Sequence, residues 1–213
     1  MFIIDLDDTL FNTRGVHGFK EVRLSVLNKL GVTEDLYDKT YSEARNQEPI
    51  GYNNIKHAQV LSKHGFDQEE VFQALEKTIS SEILKTFLFS DSLSFLGQMK
   101  SLGEPMILLS FGDTDFQTLK AKGSGFEEYF DRFILTRTDK SDVVAELANG
   151  KNLSKIWFIN NRPDETLNVK KNHPKINYIL KKSEDIDEQE YIKSQLPYFK
   201  TLNEIYEYIR DNR

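Results

Sequence analysis

The chain of 213 residues contains no cysteine, which excludes disulfide bonds and thiol chemistry and is typical of a reducing compartment. It also lacks an apolar run long enough to span a membrane, and its first residues lack the basic segment of a signal peptide. Positive charge is not in excess, since the formal net charge is −6. These absences lead us to expect a cytoplasmic protein with no nucleic-acid partner and no membrane partner.

An apolar content of 38% is sufficient for a core in one domain, or in one domain that carries an insertion. Five apolar runs predict buried strands: Phe2–Leu6, Met106–Phe111, Arg132–Thr136, Ile156–Asn160 and Ile176–Leu180. The last four recur at short intervals with helix-like segments between them, as in a parallel sheet covered by helices. The sequence therefore predicts an α/β fold with a Rossmann-like parallel sheet.

The first two predicted strands are separated by far more residues than one crossover helix needs. Amphipathic patterns in this gap predict four helices: Gly18–Leu30, one from Thr33 to about Arg45, one from Asn53 or Asn54 to about Gly65, and one that starts at Asp67 and carries Val71, Leu75, Ile79 and Ile83. We therefore predict an all-helical cap domain at residues 14–88, inserted into a core of residues 1–13 and 89–213.

The end of the first predicted strand carries most of the functional information. The apolar run leads into Asp5, Asp7, Asp8 and Thr9, at the carboxyl end where open α/β sheets bind ligands. One backbone turn can direct Asp5 and Asp7 toward the same point, and two adjacent carboxylates repel each other unless a cation or a shared proton intervenes. These residues alone leave open a metal site, an acid–base pair, or both.

Three further sites follow later strands. Ser110 ends the second strand just before Gly112, Lys140 begins the helix after the third, and Asn160-Asn161 ends the fourth. Each is weak evidence alone, because serines at strand ends usually make ordinary hydrogen bonds and most lysines are solvated. The carboxyl ends of parallel strands face one crevice, so their order and spacing together predict a single site.

This succession of motifs resembles the phosphatases of the haloacid dehalogenase superfamily. The segment Asp5–Thr9 matches the family's first motif, Asp-x-Asp-x-Thr, and Ser110 and Lys140 match the second and third. The fourth motif departs from the pattern, because Asn160-Asn161 stands where one or two acids are expected. The resemblance extends over the whole chain, and the insertion resembles that family's helical cap.

The resemblance implies that Asp5 is the nucleophile that forms an aspartyl-phosphate, and that Asp7 is the general acid and base. It implies a Mg²⁺ ion on Asp5, on the backbone carbonyl of Asp7 and on the fourth-motif residues, here Asn160 and Asn161. The residues expected to bind substrate or phosphate are Thr9, Arg14, Ser110, Phe111, Gly112 and Lys140. Of the charged residues in or near the cap, Arg14 is the best candidate, whereas His17, Arg45, Lys56 and His57 are expected to be solvated.

The sequence thus predicts a Mg²⁺-dependent phosphomonoester hydrolase for a small phosphorylated metabolite, acting as a monomer or homodimer. One alternative is a phosphate-binding or regulatory protein with weak or no catalysis, because the amides at 160–161 lack the charge of the expected acids. Asp164 or Glu165 could compensate as a metal ligand, but both positions also suit the first turn of an ordinary helix. A second is a 2-haloacid dehalogenase, which uses the same nucleophile without a metal. Asp7 speaks against it, because displacement of a halide needs no acid.

Overall fold

The computed structural model describes residues 1–213. Its centre is a six-stranded, wholly parallel sheet in the order β3-β2-β1-β4-β5-β6. The strands are β1 Phe2–Ile4, β2 Met106–Phe111, β3 Arg132–Thr136, β4 Trp157–Asn160, β5 Asn177–Lys181 and β6 Tyr198–Phe199. The order reverses at β1, which pairs with β2 on one side and β4 on the other. The prediction of a Rossmann-like α/β fold is therefore confirmed. This reversal of strand order is the topological switch point of the sheet, and it lies where the first acidic motif begins.

Five helices lie between β1 and β2: α1 Phe19–Asn28, α2 Glu34–Asn46, α3 Asn54–Ser62, α4 Gln68–Glu76 and α5 Ser81–Lys85. The side chains of Thr33, Asn53 and Asp67 cap α2, α3 and α4 as their sequence positions predict. The helices enclose their own cluster of seven buried residues, which includes Leu27, Leu61 and Val71. We call this segment the helical insertion; its role as a cap domain with limits at residues 14 and 88 stays a prediction.

Six further helices cover the sheet: α6 Ser92–Ser101, α7 Thr114–Gly123, α8 Lys140–Ala148, α9 Pro163–Asn172, α10 Glu188–Ser194 and α11 Leu202–Asp211. Alternate side chains of each strand face opposite sides of the sheet, so Ile4 and Leu108 join one buried cluster and Ile3 and Leu109 join another. Burial on both faces explains why the strands are continuous apolar runs. None of the helices is both long enough and apolar enough to cross a membrane.

Two close contacts join the helical insertion to the sheet. Where the chain leaves and re-enters the core, Phe11 bridges to Leu88, and the N–H of Asn12 donates to the carbonyl of Phe87 at 2.7 Å. Farther out, Gly51 lies so close to the loop after β2 that a Cβ there would be 2.3 Å from the Asp113 nitrogen. The insertion is thereby held over the carboxyl end of the sheet.

Three local expectations are wrong. The predicted fourth helix is two helices, because α4 ends at Glu76 and a new helix capped by Ser80 carries Ile83. The strand β6 was not expected, since only two residues pair and their pattern is too short to detect. The expectation that Lys56 and His57 are solvated is also wrong: His57 is fully buried, and Lys56 donates to three backbone carbonyls of the loop before α3.

Candidate active site

A cavity of about 300 Å³ lies between the carboxyl end of the sheet and the helical insertion. The sheet contributes residues after β1, β2 and β4, and the insertion contributes residues of α1 and α2 and of the loop before α3. This is the crevice that the switch point of a parallel sheet forms. The predicted site residues that line it are Asp5, Asp7, Arg14, Ser110, Phe111, Gly112, Lys140 and Asn161.

Asp5 follows β1 and is only 5% exposed. Its Oδ1 accepts a hydrogen bond from Lys140 Nζ at 2.6 Å, and its Oδ2 accepts one from the Thr9 hydroxyl at 3.2 Å. Burial raises the pKa of Asp5, and the Lys140 ammonium opposes this rise. The carboxylate is thus held in one orientation at the cavity wall, with a charged partner fixed beside it.

Thr9 and Lys140 therefore act on Asp5 in different ways. Thr9 is fully buried and does not line the cavity, so it orients the carboxylate rather than facing a ligand. Lys140, at the first position of α8, lines the cavity and also donates to Glu165 Oε2 at 3.0 Å. Burial alone lowers a lysine pKa, but the two carboxylates raise the pKa of Lys140 above its usual value, so it stays charged.

The Asp7 carboxylate is bound by three side chains. Lys120 and Thr13 donate to Oδ1, and Gln117 Nε2 donates to Oδ2 at 2.8 Å. Burial opposes ionisation, but Lys120 leads the stabilising contacts that lower the pKa of Asp7 to about 2. An aspartate in this environment keeps its charge at neutral pH and is poorly suited to donate a proton.

Asp8 supports the loop that follows. It adopts a positive φ of 56° and is almost fully buried, and its Oδ1 accepts from the backbone N–H groups of Thr13 and Arg14, both at 2.8 Å. Burial, then the nearby Asp7, raises the pKa of Asp8 to about 6. Arg14 lines the cavity, but its guanidinium is paired with Asp185 at 3.1 Å, so part of its charge is already neutralised.

The predicted phosphate-binding loop after β2 lies at the cavity. Ser110 is 1% exposed and lines it together with Phe111 and Gly112. The N–H of Gly112 donates to the carbonyl of Thr136 at 2.8 Å, and would have to exchange that partner to bind a ligand oxygen. The role of Gly112 in phosphate binding therefore stays a prediction.

The two asparagines after β4 have separate positions. Asn160 is fully buried, and its side-chain oxygen accepts from the backbone N–H of Asn161 at 2.9 Å. Asn161 lines the cavity, and its hydrogen bonds run through the backbone. Glu165 also lines the cavity, next to Lys140, whereas the Asp164 side chain is 67% exposed and pairs with Arg162. Of the two acids expected near the fourth motif, only Glu165 lies at the cavity.

These residues do not fit a carboxylate-rich Mg²⁺ site. No group of three or more acidic or histidine side chains is arranged to hold a metal ion. The available oxygens are the Asp5 and Glu165 carboxylates, the Asp7 carbonyl and uncharged amides. Lys140 already pairs with both Asp5 and Glu165, and Lys120 pairs with the Asp7 side chain. A divalent cation prefers charged oxygen ligands, so this donor set offers little attraction for it.

On the sheet side of the cavity, the sequence analysis missed Lys120 and Gln117. Both lie on α7, which starts directly after β2 with Asp113 as its N-cap. Their spacing of three residues places them on one face of that helix. Their position in the sequence could have indicated them. The helix after the second motif begins at the crevice, so polar residues on one face of its first turns can reach the site.

The cavity and the switch point define a Rossmann-like α/β protein with a buried carboxylate site covered by an inserted helical layer. No family model and no curated protein matches the chain by sequence. Solved structures do resemble it over nearly its whole length.

One such structure is described as a haloacid dehalogenase-like hydrolase of Burkholderia xenovorans, with 16% identity, a TM-score of 0.73, and coverage of 97% of this chain and 94% of that one. A structure described as a predicted phosphatase of Clostridium acetobutylicum shows 16% identity and a TM-score of 0.62, with coverage of 99% and 97%. A magnesium-bound structure described as a haloacid dehalogenase (HAD) hydrolase of Bacillus subtilis shows 11% identity and a TM-score of 0.63, with coverage of 97% and 96%. Structures described as dehalogenases are also similar. The chain therefore has the fold of the haloacid dehalogenase-like hydrolases.

Proposed function

We propose that the protein is a phosphomonoester hydrolase in which Asp5 is the nucleophile. The observation that carries the proposal is the Asp5 carboxylate itself, buried at the cavity wall and oriented by Thr9 and Lys140. A nucleophilic carboxylate requires a fixed direction of attack and a cation that offsets charge repulsion from the incoming phosphate. The neighbours described as hydrolases and phosphatases agree with this proposal.

In the first step an Asp5 oxygen forms a bond to phosphorus, and the bond between phosphorus and the ester oxygen breaks. The product is an aspartyl-phosphate, and the leaving alkoxide or aryloxide takes up a proton from solvent water. In the second step water attacks phosphorus, releasing inorganic phosphate and restoring the Asp5 carboxylate. Lys140 and Ser110 line the cavity. In this proposal they hold the phosphoryl oxygens, where fixed charge stabilises the transition state.

The role of Asp7 as general acid and base stays a prediction. The residues around Asp7 disfavour this role. The contacts with Lys120, Thr13 and Gln117 all stabilise the charged carboxylate, so it holds no proton to give to the leaving oxygen at neutral pH. Substrates whose leaving group departs without full protonation, such as aryl or acyl phosphates, are therefore favoured over alkyl phosphates.

Mg²⁺ also stays a prediction. Asp5, the Asp7 carbonyl and Asn161 are the groups that would face it, and the donor set does not fit a site of ordinary affinity. The steps above depend on the lysines and not on a metal. A small phosphorylated metabolite as substrate, and the monomeric or dimeric state, likewise remain predictions.

The test is hydrolysis of an aryl phosphate and an alkyl phosphate by the wild-type protein and by Asp5→Asn, with Asp211→Asn as a matched control on the exposed end of α11. We expect measurable release of phosphate from the aryl ester, a much slower alkyl ester, and loss of at least about a hundredfold in rate for Asp5→Asn only. Equal rates for wild type and Asp5→Asn would overturn the proposal.

A second candidate is a 2-haloacid dehalogenase. The environment of Asp7 favours it, because a halide leaves without a proton and a permanently charged Asp7 is then no obstacle. Asp5 would attack the carbon that bears the halogen, and water would hydrolyse the resulting ester. Release of chloride from 2-chloropropionate, with no release of phosphate from aryl phosphates, would select this reaction. Ligand binding without either turnover would select the phosphate-binding or regulatory alternative.

A further inference from the structure

The Lys120 ammonium group has hydrogen-bonding capacity that the chain does not use. The Lys120 side chain lines the cavity and is only 3% exposed, and its Nζ donates to one acceptor, the Asp7 carboxylate. An ammonium carries three N–H donors, and the buried Lys56 uses all three on backbone carbonyls. Lys140 is bound by two carboxylates. Lys120 therefore retains two N–H donors without an oxygen or nitrogen acceptor.

Two aromatic rings shield this ammonium from bulk water. Lys120 Nζ lies 4.7 Å from the centre of the Phe11 ring and 5.7 Å from that of the Phe19 ring. Both phenylalanines are buried and pack edge-on against each other, with ring centres 5.6 Å apart. A ring face attracts a cation, but the contact is weaker than a hydrogen bond to a charged oxygen. In this shielded position, the ammonium acts strongly on any ligand oxygen that reaches it.

The position of Lys120 in the cavity indicates which oxygen this is. In phosphoryl transfer the attacking and leaving oxygens lie roughly in line, on opposite sides of phosphorus. Asp5 attacks from the end of β1, where Lys140 of α8 binds it, so the leaving oxygen points away from Asp5 and toward the helical insertion. Lys120 lies on that side, because the Phe19 ring beside it belongs to α1. The cavity also reaches Arg23 of α1, so the rest of a substrate has room there.

We propose that Lys120 is a catalytic residue that donates a hydrogen bond to the leaving oxygen of the phosphate ester. The proposal rests on the proposed function and adds the group that stabilises its leaving oxygen. As the bond between phosphorus and this oxygen breaks, the electron pair stays on the oxygen, and an N–H of Lys120 stabilises the resulting charge. Lys120 keeps its proton, and solvent water protonates the product afterwards. Asp7 is then a positioning residue, because its carboxylate holds the ammonium in place.

Binding of a product aryloxide tests the proposal without turnover. The ligands are 4-nitrophenolate, at a pH at which it is ionised, and nitrobenzene, which has the same nitro-substituted ring without the charged oxygen. We expect the wild-type protein to bind 4-nitrophenolate at least about tenfold more tightly, since its oxygen accepts from the unused donors of Lys120. Calorimetric titration measures both constants. A ratio near one, or no binding of either ligand, would overturn the proposal even if no variant of Lys120 folds.

Three variants test whether this preference belongs to Lys120. Asp7→Asn removes the counter-ion but keeps the ammonium, so we expect the binding ratio to be preserved or raised. Adding Lys120→Met to Asp7→Asn removes the ammonium without leaving an unpaired carboxylate, and we expect a ratio near one. Lys122→Met, at an exposed position of the same helix, is the matched control. A ratio that survives in the double variant would assign the contact to another residue and reject the proposal.

A series of substituted phenyl phosphates tests the same contact during turnover. We expect the addition of Lys120→Met to Asp7→Asn to lower kcat/KM by at least about a hundredfold for the most basic leaving oxygen, and by less than about tenfold for the least basic one. Equal slowing of all esters, or no turnover by Asp7→Asn alone, would reject the proposal. Failure of the wild-type protein to hydrolyse any phosphate ester would contradict the proposed function alone, because the binding ratio is measured without turnover.

Discussion

Lys120 places its ammonium group against the carboxylate of Asp7, 113 positions earlier in the chain. The Asp7 side chain is 25% exposed and that of Lys120 only 3%, so the pair is shielded from solvent and from salt. The charge of the paired-aspartate motif is thereby balanced from within the chain. This sets the site apart from one that gathers a divalent cation.

A double-mutant cycle measures the coupling free energy between Asp7 and Lys120. We expect Asp7→Asn and Lys120→Met to be coupled by about 2 kcal/mol in the free energy of unfolding, because each single change leaves a shielded charge unpaired. The exposed pair Lys122–Glu127 on the neighbouring surface is the control, with 54% and 59% exposure, and we expect less than about 0.5 kcal/mol there. Similar coupling in both pairs, from urea unfolding, would show that the Asp7–Lys120 contact has no special strength.

Asn161 provides a test of the metal site. We expect the wild-type protein to bind Mg²⁺ more weakly than about 1 mM, and Asn161→Asp to tighten binding by about tenfold, because the change adds a charged oxygen at the cavity. Calorimetric titration measures both constants, and Asn203→Asp on exposed α11 is the control for added charge. Tight binding by the wild-type protein, unchanged in Asn161→Asp, would show that the amides suffice.

We expect the free energy of unfolding to depend on pH because of the buried His57. It is fully buried between the hydroxyls of Thr40, at 3.0 Å, and Tyr52, at 2.9 Å, and burial, then the charge of Arg23, lowers the pKa of His57 from 6.5 to about 3. The unfolded chain then binds more protons than the folded one between these values, so stability is complete above pH 6.5 and falls as the pH falls toward 3.

We expect about 2 kcal/mol of this loss between pH 7 and pH 5. Urea unfolding at both pH values should show it in the wild-type protein and in His64→Gln, and show a smaller loss in His57→Gln, which cannot be protonated there. An unchanged pH dependence in His57→Gln would mean that other groups cause it.

Substitution of Gly51 tests how far stability and substrate binding depend on the contact between the helical insertion and the loop after β2. Gly51 has a φ of +128°, and a Cβ would lie 2.3 Å from the Asp113 nitrogen. Gly65 also has a positive φ, of +90°, but open space around it. We expect Gly65→Ala to cost about 1 kcal/mol for backbone strain alone, and Gly51→Ala to cost at least about 2 kcal/mol more and to raise KM, because the insertion must move. Equal costs in thermal unfolding would exclude a close contact.

Much of the fold follows from the sequence because parallel strands buried on both faces are continuous apolar runs, as in Met106–Phe111, and because Thr33, Asn53 and Asp67 are local signals for helix starts. Strand β6 was missed because only two of its residues pair, which is too few to show the alternating pattern of a strand. The break before Ser80 was missed because the apolar spacing of Ile79 and Ile83 continues a helical pattern across it.

For the site, the strand ends led to Asp5, Ser110 and Lys140, because topology alone brings them to one edge. The pairing of Asp7 with Lys120 depends on where α7 packs, which no local pattern encodes. Arg23 was missed for the same reason. It is buried by contacts with Tyr52, Asn54 and Thr78, which lie far from it in sequence, and an arginine in an amphipathic helix is usually solvated.

The most direct measurement is to trap the covalent intermediate on Asp5. Wild-type protein would be quenched in acid during turnover of an aryl phosphate, reduced with borohydride, digested and sequenced by mass spectrometry. A nucleophilic Asp5 predicts a reduced side chain at that position and at no other aspartate, dependent on substrate. An unmodified Asp5 in a sample that is turning over substrate would contradict its role as the nucleophile.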